Sequence, residues 1–136
     1  MPCQLCKEYE SNKTTIYSTK YSFCIVAKWP LKPGHVLVLP KRHVKKLSSL
    51  SKNEAKDLLD EVEKMSQVLK RIYKEDCIIH LNRGRLGSQH HIHVHIVTSK
   101  EGLRPLISHL EKIPQRKHIS LEEMEKIRDY IKNKIT

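Results

Sequence analysis

The sequence predicts an α+β fold, an antiparallel sheet with a long helix packed on it, and three observations predict it. The first is His90-His91-Ile92-His93-Val94-His95-Ile96-Val97, in which imidazoles alternate with branched apolar residues. Successive side chains in a strand point to opposite faces. His91, His93 and His95 therefore share one face, and Ile92, Val94 and Ile96 share the other, which reads as core. The second is the capping box Ser51-Lys52-Asn53-Glu54, followed by Ala55, Leu58, Leu59, Val62, Met65, Leu69, Ile72 and Tyr73 at helical spacing, a long helix ending near Lys74. The third is the spacing of the other apolar runs, short and hairpin-like, which joins neighbours antiparallel.

In chain order, Thr14–Tyr17 and Tyr21–Ala27 alternate around a short polar turn and read as strands. Trp29-Pro30-Leu31-Lys32-Pro33-Gly34 is a turn, and His35-Val36-Leu37-Val38-Leu39 is a short buried strand stopped by Pro40. After the long helix, Cys77–Asn82 is a further strand, Gly84 and Gly87 mark a loop, and the histidine strand follows. Gly102–Pro114 is ambiguous because of Pro105 and Pro114. Ser120-Leu121-Glu122-Glu123 is a second capping pattern, and Leu121, Met124, Ile127, Ile131 and Ile135 mark a C-terminal amphipathic helix. With 136 residues and no repeat or low-complexity segment, one domain spanning 1–136 is expected.

No apolar run approaches the length of a membrane span, and no apolar signal region opens the chain, so a cytoplasmic setting, with the nucleus also open, is expected. In such a reducing compartment the four cysteines do not read as a disulfide framework. The formal charge of +11 favours phosphate-bearing partners, nucleotide or nucleic acid, without choosing between them.

A neutral imidazole can attack an electrophile while its neighbours hydrogen-bond the electrophile or the leaving group. Phosphorus suits this chemistry, because a phosphoramidate of histidine forms and hydrolyses readily. Three same-face imidazoles can instead chelate a metal. Gly87-Ser88 can offer N–H groups and a hydroxyl to phosphate oxygens, and Asn82 can bind a ligand or end its strand. Cys3 and Cys6 have CxxC spacing, open to three readings: zinc, a redox pair, or small core residues. A redox pair is expected at a helix start after a strand, and no strand precedes Cys3. A zinc site needs two more ligands, for which His43 and His91 are the best candidates.

These residues resemble the histidine triad (HIT) family. His91-Ile92-His93-Val94-His95-Ile96-Val97 is similar to its signature, and Pro33-Gly34-His35-Val36-Leu37-Val38-Leu39-Pro40-Lys41-Arg42-His43-Val44 is similar to its proline-glycine-histidine strand. The resemblance covers about residues 1–98 and leaves 99–136 outside. It implies an α+β homodimer that hydrolyses or transfers nucleotides at the α-phosphorus. His93 would form a nucleotidyl-histidine, His95 would sit near the leaving group, and His35 would support His93. Ser88 and Asn82 would contact substrate. Zinc-containing branches, galactose-1-phosphate uridylyltransferase among them, carry an N-terminal CxxC. Their pattern implies a structural zinc on Cys3, Cys6, His43 and His91. Histidine rather than glutamine at 95 favours the hydrolase-like branches. The chain departs from the family in its shorter Asn82–His91 loop and in Ala27-Lys28-Trp29, which lacks the acidic residue often found before the Pro-Gly-His strand. A rival reading is a zinc-stabilised nucleic-acid-binding protein without catalysis, although its few scattered aromatics make no stacking platform. Between the two stands removal of adenylate from nucleic-acid ends, as in the aprataxin branch.

Overall fold

The computed structural model describes residues 3–86, 90–112 and 118–135. They divide into two compact units, Met1–Gly102 and Leu103–Thr136. The first unit opens with helix α1 (Gln4–Ser11), followed by strands β1 (Thr15–Ser18), β2 (Ser22–Val26) and β3 (Val36–Pro40). Helix α2 (Lys52–Tyr73), β4 (Asp76–His80) and β5 (Val94–Ser99) complete it. The sheet has five strands in the order β1-β2-β3-β5-β4, every neighbouring pair antiparallel. The α+β class expected from the sequence is the one observed.

The pleat sorts the sheet into two faces. On one, Cys24, Val36, Val38 and Ile96 pack against Leu58, Val62, Met65 and Leu69 of α2. On the other, Phe23, Ile25, Ala27, Leu37 and Leu39 pack against Leu5 of α1. The start of α2 is fixed as its sequence predicts: Ser51 accepts from the Glu54 N–H and Glu54 reaches back to the Ser51 N–H. Arg42, from the segment after β3, donates from both Nε and Nη2 to the same Glu54 carboxylate. Gly34, at φ +87°, turns the chain into β3. A Cβ at that position would run into the Tyr73 ring at the end of α2, so only glycine fits there without displacement.

The histidine strand differs from expectation in its start. Its ladder begins at Val94, and His91, Ile92 and His93 precede it. The cause is a change of partner: the Ile92 N–H donates to the Val44 carbonyl, in the segment beyond β3, before the ladder with β3 begins. The N-terminus carries an element for which the sequence offered no reading, helix α1, with Cys3 as its N-cap.

The second unit contains α3 (Leu103–Glu111) and α4 (Leu121–Lys132). The ambiguous segment is thus helical up to Glu111, with Pro105 within the first turn, where proline's missing N–H costs nothing. Ser120 caps α4 by accepting from the Glu123 N–H. No helix among the described residues is long and apolar enough to cross a membrane.

Candidate active site and metal-binding cluster

Two histidine clusters meet at the segment leading into β5. The register explains the first. His80 stands opposite His95, and Leu37 stands opposite His95 on the other side, so these side chains share the α1 face. His35, two residues before Leu37, joins them. The His80 and His95 rings are stacked, with centroids 4.4 Å apart and planes 2° from parallel. His93 meets His95 edge-on at 4.9 Å.

Backbone groups fix the proton positions in this cluster. The Leu31 N–H donates to His35 Nδ1 at 3.0 Å, so neutral His35 carries its proton on Nε2. That Nε2–H donates to His95 Nδ1 at 2.9 Å, which puts the His95 proton on Nε2. His95 Nε2 is buried and has no hydrogen-bond partner among the described residues. His93 Nδ1–H donates to the His91 carbonyl at 2.8 Å, which leaves Nε2 as the ring's lone-pair nitrogen. Burial first, then the neighbouring imidazoles of His80, His93 and His35, push His95 down to about 4. Burial also lowers His35 and His80, helped by His80 in the first case and His93 in the second.

Two cavities adjoin His93. One, of about 610 Å³, is lined by Leu5, Ile25, Ala27, Trp29, His35 and His95 among others, and is apolar for most of its wall. The second, of about 520 Å³, is lined by Lys45, Lys46, Ser48, Asn82, Arg83 and His90. Among the described residues Lys45, Lys46 and Arg83 make no ion pair, so their charge faces whatever enters. An apolar pocket and a cationic one that both border His93 suit a ligand with a flat apolar end and a polyanionic middle.

The second cluster gathers Cys3, Cys6, His43 and His91, whose ligand atoms all lie within 4.8 Å of one another. Cys3 Sγ is 3.6 Å from His91 Nδ1, and Cys6 Sγ is 3.6 Å from His43 Nδ1 and 3.5 Å from His91 Nδ1. Tetrahedral Zn–S and Zn–N bonds of ordinary length give sulfur–nitrogen edges of roughly 3.5 Å, so the four atoms fit one tetrahedral ion. His91 Nε2–H donates to the Pro40 carbonyl at 2.8 Å, which turns Nδ1 toward the cluster as a ligand lone pair. Burial, then the hydrogen-bonding Cys3 thiol, pushes Cys6 up to about 11. A bound cation is what makes such a thiol a thiolate. These four residues can hold a metal ion.

A model of the HIT domain family matches residues 8–102. The chain belongs to the HIT domain family. It is 35% identical over 117 residues to a bis(5'-adenosyl)-triphosphatase of Dictyostelium discoideum, covering 81% of this chain and 77% of that protein. It is 35% identical over 105 residues to a bis(5'-nucleosyl)-tetraphosphatase [asymmetrical] of Schizosaccharomyces pombe, covering 74% of this chain and 58% of that protein. A HIT family structure from Bacillus subtilis superposes with a TM-score of 0.73 at 18% identity, covering 100% of this chain and 99% of that one, a likeness of fold.

Of the HIT residues named from sequence, His35, His93 and His95 come together at the apolar cavity, and Asn82 joins His93 at the cationic one. Ser88 lies outside the described residues. The His35 ring is hydrogen-bonded to His95, and Leu37, two residues further along, stands opposite His95 in the β3–β5 ladder. His80 was missed. Its signal, a histidine two residues before Asn82, becomes meaningful only once the register of β4 on β5 is known. Lys45 and Lys46, part of the chain's net charge of +11, line the cationic cavity.

Proposed function

We infer that this HIT protein is a nucleotide hydrolase acting at the α-phosphorus through a nucleotidyl-His93 intermediate, with a structural zinc on Cys3, Cys6, His43 and His91. The observation that carries the reading is the hydrogen bond from His93 Nδ1 to the His91 carbonyl. It makes Nε2 the nucleophile and holds the N–H that becomes cationic when Nε2 is phosphorylated. In the first step the Nε2 lone pair forms the N–P bond. The P–O bond to the leaving group breaks, and its electron pair departs on that oxygen. His95 Nε2–H is the unspent donor beside it and supplies a hydrogen bond to the developing anion. In the second step water attacks phosphorus, the N–P electron pair returns to Nε2, and a proton goes to solvent.

The apolar cavity suits the nucleoside, and the cation-lined one suits the remaining phosphates. The names of the relatives from Dictyostelium and S. pombe favour a dinucleoside polyphosphate as substrate. Zinc is the metal that four Cys and His donors without an open position select. It would tie the N-terminus to the segment before β5 and hold His91, whose carbonyl positions the nucleophile. The homodimer implied by the family belongs to this reading, and β4 leaves one sheet edge open to a second copy.

A turnover panel tests the reading. Diadenosine triphosphate, adenosine 5'-phosphoramidate and an adenylylated DNA end are compared as substrates. Preference for the first supports the reading. Exclusive turnover of the DNA end transfers it to nucleic-acid repair. No turnover of any, with steeply salt-dependent DNA binding, replaces it by the binding protein.

A further inference from the structure

We propose that His80 is a positioning residue: stacked flat on His95, it holds that imidazole neutral, with its proton on Nε2, and so selects substrates whose leaving group departs as a phosphate anion. The proposal rests on the nucleotide-hydrolase reading above and deepens it. Its starting point is a directional chain of hydrogen bonds. The Leu31 N–H faces His35 Nδ1, and His35 Nε2 faces His95 Nδ1. A proton added to His95 Nδ1 would confront the His35 Nε2–H across 2.9 Å. Protonation of His95 therefore requires the ring to leave this chain, by turning or sliding.

His80 closes the way out. Its ring lies 2° from parallel to the His95 ring at 4.4 Å, and its backbone is fixed opposite His95 by the β4–β5 ladder. With His93 meeting His95 edge-on at 4.9 Å, the ring is bounded on three sides by imidazoles. The other ionisable groups lining the cavity are Glu8 of α1 and Lys28 beyond β2, and α2 lies across the opposite face of the sheet. Burial first, then His80, depresses the basicity of His95 in agreement with this geometry.

The chemical consequence concerns the leaving group. A neutral imidazole donates a hydrogen bond well and a proton poorly. A phosphate leaving group needs only the hydrogen bond, because the breaking P–O bond delivers its electron pair to an oxygen that is stable as an anion. An amine leaving group needs a full proton as the P–N bond breaks. The His80–His95 stack thus favours phosphoanhydrides over phosphoramidates.

The test uses the full-length protein as purified, with diadenosine triphosphate and adenosine 5'-phosphoramidate as probes. For His80→Ala, the ratio of kcat/KM values, triphosphate over phosphoramidate, is expected to fall about tenfold, the change in protonated fraction that one pKa unit produces. The ring ¹⁵N titration of His95 followed by NMR is expected to move toward higher pH. His80→Phe keeps a flat ring in place and is expected to restore both. Where His80→Ala fails to fold, His80→Gln, which also removes the stack, takes its place. An unchanged ratio with an unchanged His95 titration in a folded stack-less variant overturns the proposal, as does His80→Phe behaving like His80→Ala. A wild-type protein that cleaves neither probe overturns the hydrolase reading instead, and the His95 titration then still decides whether His80 positions it.

Discussion

The two histidine clusters share a segment and differ in almost every physical respect. In the Cys3–Cys6–His43–His91 cluster the lone pairs converge on one point, at separations that fit a single cation. In the His35–His80–His93–His95 cluster the rings pack face to face and edge to face, and the Nδ1 lone pairs of His35 and His95 are used in series along one line of hydrogen bonds. The first geometry closes a site. The second keeps one lone pair, on His93, and one donor, on His95, available to a substrate. His91 connects them, its ring in one cluster and its carbonyl hydrogen-bonded to His93 of the other. The difference teaches that identical imidazoles acquire structural or chemical roles from what fixes their second nitrogen.

Substitutions separate the two. His93→Ala is expected to lower turnover by about 10⁴-fold or more, since a nucleophile has no substitute, with the melting temperature lowered less than by loss of a metal ligand. Steady-state kinetics and a thermal melt check both halves. Cys3→Ser is expected to do the reverse. The melting temperature drops by about 10 °C, the effect of roughly 3 kcal/mol in a domain of this size, while turnover per folded molecule changes little. Metal analysis of the wild type should find one zinc per chain, and zinc-free protein with freely titrating Cys3 and Cys6 would remove the structural-metal claim.

His35→Ala is expected to cost about 10- to 100-fold in kcat, less than loss of His93, because it releases His95 and leaves the nucleophile in place. Equal losses in folded proteins would break the division of roles. Gly34→Ala is expected to destabilise by about 1–2 kcal/mol through its positive φ and the Tyr73 ring, read as a lowered denaturation midpoint.

Acidification adds a smaller effect with a defined sign. His95 is held near 4 in the fold against an ordinary value of 6.5. Between those values the unfolded chain binds a proton that the folded one refuses, so its contribution to stability is whole above 6.5 and declines as pH falls toward 4. Melts of wild type and His95→Asn across this range should converge at the acid end if the account is right.

Most of this architecture was legible in the chain. The α2 capping box, the period-3.6 apolar stripe and the alternation through His91–Val97 are local signals, and each element appeared within a few residues of its expected place. The grouping of Cys3, Cys6, His43 and His91 was legible because CxxC leaves a set of two to be completed. What escaped depended on register or on caps made by atypical groups. His80 gained meaning from standing opposite His95. The His35–His95 hydrogen bond followed from a ladder that sets His95 opposite Leu37, two residues beyond His35. Helix α1 was unforeseen because its cap is a cysteine sulfur accepting from the Cys6 N–H, outside the usual Ser, Thr, Asp and Asn signals.

The central claim, that His93 Nε2 becomes covalently nucleotidylated, is tested most directly by trapping. Protein mixed with α-labelled nucleotide substrate is quenched into base, which spares a phosphoramidate, and the labelled peptide is mapped by mass. The account predicts label on His93, lost in acid and absent from His93→Ala, with retained stereochemistry at phosphorus over the full reaction. Label on His95 or Ser88, or inversion at phosphorus in a single step, would contradict it.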